Sequence, residues 1–226
     1  MKTISDIRLF RSTVPNTDGN PQPLSIGSRQ LNLVLHRIVM KLREQNFSLG
    51  EFDHLYLNFT TQLAAGAFSP AARSVDPYHR WYRYYDVGTA SEIYQQLDSE
   101  SSFGYIIAQL KSLLVSFFAA NNPCSVQEWI DEAVEKGEDM LVLYKTKQTP
   151  KLKASIFLQY LDSAEYLPHL FVWDGSGEEL LHRQLAPAPD LAAIGEIQLS
   201  SKRVTIKPRK NVFTSSLSPY VFEIER

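Results

Sequence analysis

Gly137 divides this sequence into two textures, and the division limits what the chain can fold into. Before it, apolar residues recur at helical spacing around two strand-like runs. After it, short apolar runs follow one another between turn clusters. The order is strand, helix, strand, helices, then many strands. That order predicts an α+β fold, with a mixed or antiparallel sheet, three to four helices on one face and a strand-rich C-terminal half.

Residues 3–10 alternate with Ile7 and Leu9 on one face and predict a first strand. Residues 13–24, rich in Pro, Asn, Asp and Gly, predict a loop. Leu31, Leu35, Ile38, Val39 and Leu42 then trace a helical stripe, with Arg29, Arg37, Lys41 and Glu44 off it. Ser25 or Ser28 is positioned to cap this helix, which ends near Asn46. Residues 52–60 predict the next strand, with Leu55, Leu57 and Phe59 on one side and His54, Tyr56, Asn58 and Thr60 on the other. Small residues over 61–75 predict a loop. Thr89 with Glu92, and Ser125 with Glu128, have capping-box spacing. They open expected helices over 89–98 and 125–136, with a third over 103–120 between them.

The later strands are expected over 140–145, 154–161, 170–173, 179–185, 194–200, 203–207 and 220–224, as an antiparallel meander. Asp174-Gly175-Ser176-Gly177 between apolar runs is its most specific hairpin signal. A length of 226 residues with 44% hydrophobic and 21% charged content accommodates one domain over 1–226, with a sub-boundary near 137–139.

Charge and cysteine usage narrow the function classes. A net charge of −2 argues against a general nucleic-acid binder. Cys124 is the single cysteine, so no internal disulfide framework exists, and the usage fits a reducing cytosol. The first ten residues hold no long apolar run of a secretory signal. Residues 105–120 are interrupted by Gln109, Lys111 and Ser112, too short and polar a run to span a bilayer. The expectation is a cytoplasmic protein with no membrane partner.

No phosphate-binding glycine loop, zinc-protease helix, nucleophile elbow or paired-cysteine motif is present, so no cofactor and no metal is expected. His36, His54, His79, His169 and His182 include no pair at metal-ligand spacing. The one position suited to a general base is His54, beside Asp53 and two residues before Tyr56. A pocket around those three residues is the enzyme alternative.

Two binding features stand out. Five of the eleven residues over 76–86 are Tyr or Trp, with His79, Arg80 and Arg83 threaded among them. The segment falls in the connection after strand 52–60. Its rings either fill a gap between sheet and helices, with Arg80 and Arg83 stacked on rings or paired to Asp76 and Asp86, or form a contact patch. In the second case Tyr78, Arg80, Trp81, Tyr82, Arg83, Tyr84 and Tyr85 meet a protein, ligand or peptide. The other feature is acidic. Glu128, Asp131, Glu132 and Glu135 share one helix face opposite Val126, Trp129, Ile130, Ala133 and Val134. Such a stripe is either a solvated face or an attraction for a basic partner.

Ile7-Arg8-Leu9-Phe10, the run from Ser28 to Leu33, and the run from Phe52 to Phe59 resemble small cytosolic immunity proteins encoded beside bacterial polymorphic toxins. The resemblance covers the first quarter of the chain. It implies a non-enzymatic, high-affinity binder that blocks a cognate toxin protein, and it assigns no site residue.

Overall fold

The alternating run around Leu57 becomes the central strand of a five-stranded mixed sheet. The computed structural model describes residues 2–13, 21–24, 29–71, 80–119, 122–210, 214 and 216–224. Tyr78, the candidate caps Ser25 and Ser28, and most of the 13–24 loop lie outside the described residues. Two compact units form, Met1–Gly137 and Glu138–Arg226.

The first unit contains β1 (Lys2–Thr3), β2 (Asp6–Ser12), β3 (Gln22–Pro23), α1 (Arg29–Glu44), β4 (Ser48–Gly50), β5 (His54–Thr60), β6 (Phe68–Pro70), β7 (Tyr82–Gly88), α2 (Ser91–Tyr94), α3 (Phe103–Phe118) and α4 (Pro123–Lys136). The sheet order is β3–β2–β5–β7–β6. The three inner strands are parallel and the two edges antiparallel. Strands β1 and β4 pair separately. Parallel pairing of β2 with β5 needs a crossover, which α1 supplies.

Ile7, Leu9, Leu55, Leu57, Phe59 and Val87 form one buried sheet face. Helix α3 lies on it, with Tyr105 against Phe59 and Phe117 against Tyr85. Leu31, Leu35, Ile38 and Leu42 bury the stripe of α1. Removing each such side chain from water contributes roughly 1.5–3 kcal/mol. Asn46, at φ 55°, takes the left-handed position that closes the helix. Residues 100–118 are long and apolar enough by composition to cross a membrane. Ile106, Leu110, Leu113 and Leu114 on that helix are fully buried inside the protein.

Several local expectations are corrected. Residues 82–88 are not connection but strand, because alternating Tyr and Arg side chains suit a pleated surface. Part of the expected loop over 61–75 is edge strand β6. The expected helix over 89–98 is a single turn, and Thr89 does not cap it; its hydroxyl donates to the Val87 carbonyl. Helix α4 starts two residues before Ser125, with Pro123 in its first turn, where a missing N–H costs nothing. Arg37 and Lys41, off the apolar stripe of α1, are nevertheless buried. The face of α1 that carries them packs against α4.

The second unit is two antiparallel sheets. One has the order β11–β10–β9–β8, from β8 (Val142–Gln148), β9 (Leu152–Tyr160), β10 (Tyr166–Asp174) and β11 (Glu179–Gln184). The other joins β12 (Glu196–Leu199), β13 (Arg203–Lys207) and β14 (Tyr220–Glu223). Ala154, Ile156, Leu158, Leu170 and Val172 are buried, as are Ile197, Val204 and Ile206. The Asp174 carboxylate closes the β10–β11 hairpin by accepting from the backbone of Ser176 and Glu178.

Candidate functional site

Strict register decides which side chains of the aromatic segment meet. Across β2, β5 and β7, Asp6, His54 and Tyr82 align, then Arg8, Tyr56 and Tyr84, then Phe10, Asn58 and Asp86. Aligned residues share a face, because side chains alternate with period two. These residues occupy the face opposite the one that meets α3.

The face is a packed ring cluster. Tyr56 stacks on Tyr82 with centroids 4.9 Å apart and planes 12° from parallel. Tyr84 stands edge-on to Tyr56 at 5.1 Å and to Tyr82 at 5.7 Å. Phe10 lies 5.2 Å from Tyr56 and 5.1 Å from Tyr84. Edge-on and stacked pairs at these separations are attractive. The Arg8 guanidinium lies over the Tyr56 ring, 5.6 Å from its centroid. Its Nε donates to Asp6 at 2.6 Å, and that bond holds the charge on the guanidinium. Burial, opposed by Arg8, pushes the Tyr56 phenol up, so it stays protonated as a donor. Trp81 is 38% exposed and edge-on to Tyr82, and Arg80 beside it is exposed. Tyr82 and Tyr84 are half-buried.

The same register sends two residues of the segment the other way. Tyr85 is buried on the helix side, with Phe117 at 5.0 Å and Phe118 at 5.5 Å. Arg83 reaches over Phe52 and donates to the carbonyls of Arg80 and Tyr82. The segment thus divides between core and surface, with Trp81, Tyr82, Tyr84 and Arg80 on the surface side.

The Asp53–His54 pair joins this cluster. His54 Nδ1 lies 2.7 Å from Asp53 Oδ1. An Nδ1–H donated to that carboxylate leaves Nε2 as the basic nitrogen. The Trp81 carbonyl accepts from the backbone N–H of both Asp53 and His54, at 2.9 Å each. The His54 ring stands edge-on to Tyr56. Sequence spacing separates these two candidates by a connection; the parallel pairing of β5 with β7 makes them one surface. Deeper on this face, buried Asn58 donates to buried Asp86 at 2.7 Å.

The acidic stripe is partly neutralised within its own unit. Asp131 accepts from Lys111, and Glu132 accepts from both Lys41 and Lys136. Lys136 and Lys41 hold the Glu132 carboxyl below the usual carboxylate range. Glu128 and Glu135 are exposed.

A second ring cluster escapes sequence reasoning. On β9–β11, Phe171 stacks on His182 at 4.1 Å and on Trp173 at 5.5 Å, with Phe157 edge-on to it. His169 Nε2 lies 2.7 Å from the Gln159 amide oxygen and its Nδ1 3.2 Å from His182 Nε2. The period-two spacing of His169, Phe171 and Trp173 is the one sequence signal that could have found it. Among the described residues no three His, Cys, Asp or Glu side chains converge as a metal site. No family model, curated protein or solved structure matches the chain.

Proposed function

We propose that this chain is a protein-binding protein of the immunity type, which docks a cognate bacterial toxin domain in the cytoplasm through the outer sheet face of its first unit. The observation that carries the proposal is Trp81, an exposed indole edge-on to Tyr82 at the margin of the tyrosine cluster, with exposed Arg80 next to it in the chain and exposed Arg8 over the Tyr56 ring. Trp, Tyr and Arg dominate binding hot spots because they desolvate large areas at small entropic cost. The cluster is prepacked, so little side-chain ordering is left for the binding step. Exposed Glu128 and Glu135 contribute long-range steering toward a basic partner.

Co-expression with the product of the neighbouring open reading frame tests this. Rescue of growth and co-purification are expected, with both lost in Trp81→Ala combined with Arg8→Ala. A wild-type chain that neither rescues nor co-purifies refutes it.

The Asp53–His54 hydrogen bond supports a second reading, a general-base enzyme acting at the same face. On that reading His54→Gln abolishes turnover and leaves binding intact. On the immunity reading it leaves growth protection intact.

A further inference from the structure

The second unit holds a cleft whose lining includes none of the ring-cluster residues. It encloses about 530 Å³ where β12 begins and β13 ends. Its lining brings apolar Pro208, Leu217 and Pro219 together with cationic Lys207, Arg209 and Lys210. Leu217 is 40% exposed, an apolar side chain turned to solvent in a cationic surround. The one acid of the lining, Glu196, lies opposite Lys207 in register, so the balance stays positive. Lys145 adds a further cation behind the wall, its ammonium donating to the carbonyls of Ile194 and Gly195.

The wall is fixed by backbone. A Cβ on Gly195 would lie 2.5 Å from the carbonyl carbon and oxygen of Pro208 and from the nitrogen of Arg209. Only glycine lets the two chains pass so closely. The Arg209 N–H donates to the Ala192 carbonyl, the Arg209 carbonyl accepts from the buried Thr214 hydroxyl, and the Arg209 guanidinium donates to Tyr144 at 2.7 Å. One lining cation is thereby held in place before any ligand arrives.

We propose that this cleft binds an acidic peptide segment of a partner protein, with one apolar side chain over Leu217 and carboxylates on Lys207, Arg209 and Lys210. A free phosphate uses the cations and leaves the apolar lining exposed, so it satisfies half of the site. Nucleic acid is disfavoured for the same reason and by the net charge of −2. The proposal does not rest on the toxin-binding reading.

Fluorescence anisotropy with a fluorescein-labelled Glu-Glu-Leu-Glu-Glu peptide tests the proposal on the full chain. Saturable binding is expected, weakening severalfold between about 50 and 500 mM salt as exposed charges are screened. Lys207→Glu with Lys210→Glu lowers affinity about tenfold or more. Leu217→Ser, at an exposed position, lowers it severalfold while circular dichroism stays that of the wild type. A Gln-Gln-Leu-Gln-Gln peptide does not bind. The proposal is overturned by no saturable binding, by equal binding of the neutral peptide, by displacement with equimolar inorganic phosphate, or by folded variants that bind as the wild type does.

Discussion

The phenol rings of Tyr56 and Tyr82 stack at 4.9 Å because parallel strands β5 and β7 place Tyr56 beside Tyr84 and one rung from Tyr82. Tyr56 is 7% exposed, whereas Trp81 at the margin is 38% exposed. Stability and binding therefore separate within one cluster. Tyr56→Ala is expected to cost about 3 kcal/mol, as for other buried aromatic truncations. Trp81→Ala should change stability by less than about 1 kcal/mol and weaken partner binding by at least about thirtyfold. Urea unfolding and calorimetric titration check the pair. Equal stability losses would show that Trp81 is a packing residue.

Lys41 on α1 bonds Glu132 on α4 at 2.8 Å and Glu44 at 2.9 Å, with its own side chain 10% exposed. Burial works against its charge, but the bonds to Glu132 and Glu44 outweigh burial and hold the ammonium above the usual lysine range. Lys41→Ala should cost about 2–3 kcal/mol, less than the ~3–5 kcal/mol of fully buried pairs because Glu132 keeps some solvent. The raised value means this contribution is full below pH 10.5 and is lost as pH rises through the folded-state value. Chemical denaturation at pH 8 and pH 11 measures the loss, and Lys41→Met should flatten it.

Burial pushes both His36 and His169 below the usual imidazole value of 6.5, and His182 adds to the effect at His169. The fold thus prefers the neutral rings, while the unfolded chain takes up protons first. Stability is full above pH 6.5 and erodes as pH falls from there toward the folded-state values. The urea midpoint should drop between pH 7.5 and pH 5.5. His169→Gln should reduce that drop, and an unchanged slope would remove His169 from the account.

Gly88 ends β7 where a Cβ would lie 1.9 Å from the Ala64 carbonyl oxygen. The close passage is locked by Gly66 N–H donating to Gly88 and Gly88 N–H donating to Ala67. Backbone cannot step aside as a flexible side chain does, so Gly88→Ala should cost about 2–3 kcal/mol. Thermal unfolding followed by tyrosine and tryptophan fluorescence reads it; a shift of under about 1 °C would contradict the close approach.

Element type was legible wherever period and punctuation agreed. The stripe from Leu31 to Leu42, the alternation from Leu55 to Phe59 and the Asp174 turn each carry their own signal, and each appears where expected. Strand β7 was not legible as a strand, because five aromatic side chains within residues 78–85 read equally as a sticky connection. Its identity comes from hydrogen bonding to β5 on one side and β6 on the other, which are partners distant in sequence.

The sequence by itself determined the α+β order, the change of texture at Gly137 and the residue types available for binding. Only the tertiary structure decided that Tyr82 and Tyr84 share a surface with His54 and Tyr56, with Trp81 edge-on to Tyr82 at its margin, while Tyr85 and Arg83 turn the other way. The physical reason is register. Period-two alternation is local, but which strand lies alongside, and in what step, depends on a crossover through α1 and on burial of Leu55, Leu57 and Phe59 against α3.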